Sequence, residues 1–168
     1  PTAPCAATIN TGCNTWPNTS PGDIGSWGYY NTATTNGTAG WATSTPGTNE
    51  GLLYQWSAAM NNSTTERAQG ICPSGWHIPS DCEWMYLENT LGMSTTNQQA
   101  TGFRTSGDVG YDLSSAVTSG TNNSGFTGLL AGYRNTDGAL IFRTSYGGWW
   151  SSSATGATTA SRRYVDAA

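Results

Sequence analysis

Gly70 to Gly92, reading GICPSGWHIPSDCEWMYLENTLG, decides the fold, because it holds a turn, a strand and a capped helix in one run. Ser80 and Glu83 stand three apart just ahead of an apolar series. That is the pattern of a capping box, in which each side chain satisfies a backbone N–H that the first helical turn leaves unpaired. Losing such a cap costs about 1 kcal/mol. Trp84, Leu87 and Leu91 fall at i, i+3 and i+7 and predict one apolar stripe, with Glu83 and Glu88 away from it. Gly92 supplies the stop. Pro73 and Gly75 make a turn before Trp76, and Pro79 forbids an earlier helix start.

Toward the N-terminus, Leu52 to Met60 reads as a strand running into a short helix. Tyr54 and Trp56 are expected on one face of that strand, Leu53 and Gln55 on the other. Residues 1–51 are dominated by turn chemistry such as Pro21-Gly22-Asp23, Asn36-Gly37 and Pro46-Gly47. Trp16, Trp27, Tyr29, Tyr30 and Trp41 argue against disorder, which is poor in large aromatics. Long loops pinned by aromatic packing are the expectation there, ahead of a sugar-stacking platform.

Toward the C-terminus, Ser94 to Ser124 is a long polar stretch with scattered apolar residues, the kind of loop that is functional or partly ordered. From Gly125 the pattern turns to β. Leu130 and Tyr133 precede a hairpin turn at Asn135-Thr136-Asp137-Gly138, and Leu140, Ile141 and Phe142 follow it. A polar turn near Ser145 to Gly148 leads into Trp149-Trp150, and Arg162 to Val165 predicts another strand. A helix followed by an antiparallel meander is an α+β arrangement.

The 168 residues suit one domain. Only 10% are charged, the six basic residues are all arginine, and the net charge is −4. That balance excludes a general nucleic-acid binder, which needs a basic footprint to displace phosphate counterions. No apolar run is long enough to span a bilayer. Four cysteines, at 5, 13, 72 and 82, allow three pairings. In a charge-poor, Thr/Asn-rich chain they read as disulfides of an exported protein, with Cys5–Cys13 and Cys72–Cys82 the simplest pairing. Cys72, His77 and Cys82 fall short of a structural zinc site, which wants four ligands and close cysteine pairs. A chain beginning at Pro1 is expected to have lost an export signal or an N-terminal anchor.

Five blocks stand in order along the chain: LYQWSAAM from Leu53, the run from Gly70 to Trp84, NNSGF from Asn122, LAGYR from Leu130 and WSSS from Trp150. On these residues the chain resembles the Fibrobacter succinogenes major paralogous domain, a bacterial extracellular module. The resemblance implies a C-type lectin-like fold: one or two short helices packed on a small antiparallel sheet, with long loops. It implies a single domain over residues 1–168, with a loop-rich N-terminal segment over 1–51, a family core over 52–168, and a closing strand that would lie past Ala168. It also makes Ser94 to Ser124 the counterpart of the long loop through which some lectins bind sugar with calcium. Asp108 and Asp112 lack the proline-containing motif of those lectins, so calcium is weakly supported and no cofactor is expected. The fold is similar to that of formylglycine-generating enzymes, whose paired late cysteines have no counterpart after Cys82.

The catalytic inventory is thin. Any serine nucleophile would need the single histidine, His77, as its base, and that residue sits in the family's Trp-His-x-Pro run, where a structural role is expected. Recognition remains. Arg134, Asn135, Phe142, Arg143, Tyr146, Trp149, Arg162, Arg163 and Tyr164 are the candidate ligand-binding residues, mostly the types that dominate binding hot spots. Trp150, Leu140 and Phe126 are expected in the core. Similar closing segments occur in variable proteins of diversity-generating retroelements, with a fixed Trp150 to Ser153 between variable positions. The leading expectation is therefore an exported, non-enzymatic domain that binds a protein or glycan at a cell surface or outside the cell. A rival is a pilin-like subunit that self-associates through an open sheet edge. A second rival is an enzyme using His77 and a nearby carboxylate.

Overall fold

A computed structural model describes residues 5–6, 26–28, 51–101, 109–114, 120–135, 139–157 and 159–166. Cys13, the aromatics Trp16, Tyr29, Tyr30 and Trp41, the 136–138 hairpin tip and Asp108 lie outside the described residues. Three short strands, β1 (Cys5–Ala6), β2 (Ser26–Gly28) and β3 (Leu53–Tyr54), form one sheet in that order. β1 runs parallel to β2 and β2 antiparallel to β3, so this sheet is mixed where an antiparallel one was expected. Four helices follow among the described residues: α1 (Trp56–Ala59), α2 (Asp81–Thr90), α3 (Thr95–Gln99) and α4 (Val109–Leu113). The chain then forms an antiparallel hairpin, β4 (Tyr133–Arg134) with β5 (Leu140–Ile141), and an antiparallel ribbon, β6 (Tyr146–Ala154) with β7 (Ala160–Asp166). This is an α+β architecture with small sheets.

The quoted stretch folds as its residues dictate. Ser80 Oγ accepts from the Glu83 N–H at 3.2 Å, and Glu83 Oε2 accepts from the Ser80 N–H at 2.8 Å, which completes the capping box of α2. Gly92 ends the helix in the left-handed region at φ +94°, where a side chain would be strained. Trp84 is buried, and Leu87 and Leu91 pack on a core of Met93, Val109, Leu113, Leu130 and Val165. Glu88 breaks the expected polar face: it is 3% exposed and turned inward. A buried carboxylate needs a cationic partner, and Arg163 supplies one.

Trp84, Phe126 and Trp149 form an aromatic cluster beneath the ribbon. Phe126 meets Trp84 at 5.8 Å and Trp149 at 5.2 Å, both edge-on, the arrangement that aromatic quadrupoles favour. Trp149 lies against Gly147, where an added Cβ would stand 2.6 Å from the indole ring and 2.6 Å from the Leu129 carbonyl oxygen. Glycine at 147 is therefore a packing requirement.

The Trp150–Ser153 block anchors the front of the domain. Trp150 Nε1 donates to the Tyr54 carbonyl at 2.8 Å, and Trp56 Nε1 donates to the Ser151 carbonyl at 2.7 Å. Ser152 donates its N–H to the Pro79 carbonyl at 2.8 Å, while its hydroxyl accepts from the Arg67 N–H at 2.9 Å. Ser153 Oγ accepts from the Asp81 N–H at 2.8 Å and donates to Glu66. Ser151 and Ser152 are fully buried, and the β6–β7 register shifts between Trp150 and Ala154 so that this block can face inward. Tyr54 and Trp56 do not share a strand face. The chain turns helical at Trp56, where the indole is drawn to Ser151, while Tyr54 stays in β3 opposite Trp27.

Cys72 and Cys82 are unbridged thiols, the first half-buried and the second exposed on α2. The expected Cys72–Cys82 disulfide is therefore not formed. The turn at 70–75 is closed instead by backbone hydrogen bonds, Ile71 N–H to the Ala59 carbonyl and Trp76 N–H to the Pro73 carbonyl. Burial pushes the Cys72 thiol pKa up, which keeps it in its unreactive protonated form.

Candidate recognition face

Period-two alternation along the ribbon sorts the arginine- and aromatic-rich segment into two sets. Trp149 sits opposite Arg163 and Gly147 opposite Val165, and these residues turn toward the core. Gly148 sits opposite Tyr164 and Trp150 opposite Arg162, and these line the outer face.

The β4–β5 hairpin then closes onto that outer face. The Gly132 N–H donates to the Tyr146 carbonyl at 2.7 Å, and the Thr144 N–H donates to the Leu130 carbonyl at 2.8 Å. Phe142 adopts φ +61°, an uncommon left-handed conformation for an aromatic residue, and this turns the chain back from β5 into β6. The residue is 48% exposed. The rings form a continuous row: Tyr146 meets Phe142 at 4.9 Å, Phe142 meets Tyr133 at 5.7 Å and Tyr133 meets Tyr164 at 5.9 Å. The Arg162 guanidinium carbon caps the row 4.9 Å above the Tyr164 ring, within cation–π range.

Beside this row opens a groove of about 570 Å³. Tyr133, Arg134, Gly148, Trp150, Arg162 and Tyr164 line it from the outer face, joined by Trp84 and Trp149 of the aromatic cluster and by Leu53, Tyr54 and Ile78. An added Cβ at Gly148 would stand 3.0 Å from the Tyr164 ring, so glycine there lets the phenol lie close to the strand. Burial raises the Tyr164 phenol pKa, Arg162 opposes that and Tyr133 adds to it, so the hydroxyl stays a neutral donor. Burial lowers the Arg134 pKa, the mark of a partly desolvated guanidinium that still carries its charge.

Of the nine residues singled out in sequence, Arg134, Trp149, Arg162 and Tyr164 line the groove, and Phe142 and Tyr146 extend the ring row. Asn135 closes the hairpin, its N–H donating to the Ala139 carbonyl at 2.7 Å, and Arg143 is half-buried in the turn that follows β5. Trp149 is half-buried, packing on the core while it lines the groove, and Arg163 belongs to the interior. Arg163 is 7% exposed and reaches Asp81 Oδ1 at 2.6 Å, Glu88 Oε2 at 3.3 Å and the Gln98 carbonyl at 3.0 Å. Tyr133 and Trp150 join the face although the sequence singles out neither for it. The signal for Tyr133 is its place just before Arg134, in a strand whose hairpin partner leads into Phe142. Trp150, expected in the core, is only half-buried.

His77 sits apart from this face. Its Nε2 stands 3.0 Å from Glu83 Oε1, and Arg67 Nη2 stands 3.1 Å from the same oxygen. Burial alone would raise the Glu83 pKa, but the hydrogen bonds from Ser80 and His77 and the His77 charge outweigh it and hold the carboxyl below the usual glutamate range. The imidazole thus serves the helix cap. Asp112 is the centre of a loop network, its Oδ1 accepting from Thr121 Oγ1 at 3.0 Å and Asn123 Nδ2 at 2.9 Å. Among the described residues, no three His, Cys, Asp or Glu side chains gather as a metal site.

A capped helix packed beneath a two-faced ribbon, with an aromatic row on the outer side, defines a small α+β domain. The chain belongs to the Fibrobacter succinogenes major domain family, whose sequence model matches residues 10–167. No curated protein and no solved structure matches it. No helix among the described residues is long and apolar enough to cross a membrane.

Proposed function

We propose that this chain is an exported, non-enzymatic recognition domain of the C-type lectin-like type, which binds a protein or glycan outside the cell through the outer face of its β4–β7 region. One observation carries this reading: Tyr146, Phe142, Tyr133, Tyr164 and Arg162 form an unbroken row beside a groove of about 570 Å³. Tyrosine and arginine supply large contact area from few rotatable bonds, and ring-to-ring packing holds each side chain in place before a ligand arrives. With Cys72 and Cys82 unbridged, export is argued from the lysine-free, charge-poor composition and the family resemblance.

The same reading takes residues 132–168 as a segment in which a retroelement varies outward-facing codons. The Trp150–Ser153 block is suited to being the fixed portion, since its hydrogen bonds reach Tyr54, Trp56, Arg67, Pro79 and Asp81. A near-copy template and a reverse transcriptase in the flanking DNA are the expected finding, and an isolated gene would remove the retroelement from the proposal. The binding reading is tested by probing a glycan and protein array with the intact domain and with an Arg162→Ala/Tyr164→Ala double variant. Signals that the double variant loses are expected. An array without signals, or one on which both proteins give the same pattern, would overturn the reading.

A further inference from the structure

Four large apolar side chains stand exposed among the described residues, Ile71, Trp76, Tyr86 and Phe142, and of these only Phe142 also sits on a left-handed backbone. Thr144, two positions on, does the same at φ +66°. Neither is a glycine, and strain of this kind collects at binding sites, where the surrounding structure over-determines it. Here the Phe142 carbonyl accepts from the Ser145 N–H at 3.0 Å and from the Tyr146 N–H at 2.9 Å. An added Cβ at Gly132 would stand 2.5 Å from the Ile141 carbonyl oxygen, so the start of β4 closes directly on this turn. The turn therefore holds an apolar ring rigidly in solvent.

Arg162 has a matching property at the other end of the row. It is exposed and meets the Tyr164 ring, and among the described residues its guanidinium N–H groups find no acceptor. A guanidinium matches a carboxylate with two parallel N–H donors. Ring steps of 5.7 and 5.9 Å, and the 4.9 Å from the Tyr164 ring to the guanidinium, bound the distance from Phe142 to Arg162. An extended chain spans that distance in no more than about five residues. The row is one ring wide, which suits such a chain. Among the described residues, the row and the groove beside it carry no carboxylate or carboxamide side chain, the groups best able to accept from the many hydroxyls of a sugar.

Resting on the recognition reading above, we propose that the row binds an extended acidic segment of a partner protein, with an Asp or Glu carboxylate on Arg162 and a large apolar side chain against Phe142. Phe142 is the anchor, because its position is fixed before the partner arrives.

Selection of phage-displayed random dodecapeptides on the intact domain tests this, with the enriched peptide then synthesised and titrated by calorimetry. Enriched sequences are expected to carry an Asp or Glu and a large apolar residue within about five positions of each other. Arg162→Gln is expected to weaken the synthetic peptide by about tenfold and to leave its acid-to-amide form unchanged. Phe142→Ala is expected to weaken it at least about thirtyfold, a hot-spot loss. Phe142→Gly, which suits the φ of +61°, is expected to bind as weakly while unfolding at a midpoint no lower than that of Phe142→Ala. No enrichment, enrichment without the acid, or a peptide indifferent to Phe142 and Arg162 would overturn the proposal. Array glycans lost with the Arg162→Ala/Tyr164→Ala variant, with no peptide enriched, would sink this inference and leave the recognition reading standing. An array without signals and a selection without enrichment would sink both.

Discussion

Arg162 and Arg163 are consecutive on β7 and carry the same guanidinium, yet their surroundings are opposite. Arg162 is exposed and rests over the Tyr164 ring. Arg163 is buried between Asp81 at the start of α2 and Glu88 near its end, so it ties the ribbon to the helix. Neighbouring Trp149 and Trp150 divide in a related way: Trp149 packs on the core, and Trp150 lines the groove while its Nε1 holds β3. The chemistry of a side chain does not decide whether it supports or presents. The pleat does, because one step along a strand reverses the direction of every side chain.

The largest effect is expected from the inward arginine. Arg163→Ala would leave the buried Glu88 carboxylate and the partly buried Asp81 without their cation and should lower the unfolding free energy by about 3–5 kcal/mol in a urea titration. Adding Glu88→Gln should recover some of that loss, because one uncompensated charge is then removed; full additivity would contradict the ion-pair account. Trp149→Ala, which empties space beneath the ribbon, should cost about 3 kcal/mol by the same measurement. Gly147→Ala should cost about 1–3 kcal/mol by overpacking against the same indole.

The helix cap gives a smaller effect with a pH signature. Ser80→Ala should cost about 1 kcal/mol. The folded Glu83 carboxyl is held below the ordinary glutamate value, which the unfolded chain keeps. Its stabilising contribution is therefore complete above that ordinary value and is lost as pH falls through the folded one. The gap in urea midpoint between the wild type and Glu83→Gln should close as pH is lowered from about 7 to about 3, and a gap that widens on acidification would contradict the assignment. The smallest effect on stability belongs to the outward arginine: Arg162→Ala should shift unfolding by less than about 0.5 kcal/mol while reducing array binding.

Much of this was legible because it is local. The capping box, the Gly92 stop and the hairpin around Asn135 each need only a few neighbouring residues, and all lie where their spacing put them. The recognition residues were only half legible. Arginine and tryptophan are enriched in binding faces as types, but the in-or-out decision needs the strand register, and the sequence reading placed a turn over Ser145 to Gly148 where β6 already runs from Tyr146. Glu88 was misplaced for a related reason: its partner Arg163 lies 75 positions away, and nothing near Glu88 signals a buried cation. Ser151 and Ser152 carry no apolar signal, so their complete burial follows from hydrogen bonds to distant segments, to Trp56, Arg67 and Pro79. The Cys72–Cys82 expectation failed because closeness in sequence says nothing of whether two thiols converge.

Phenylglyoxal modification of the native domain, read residue by residue with tandem mass spectrometry, tests the division of the ribbon most directly. Rapid labelling of Arg162 is the expected result, with Arg163 protected until the protein is unfolded. Equal labelling of the two, or faster labelling of Arg163, would contradict the assignment of one face to support and the other to recognition.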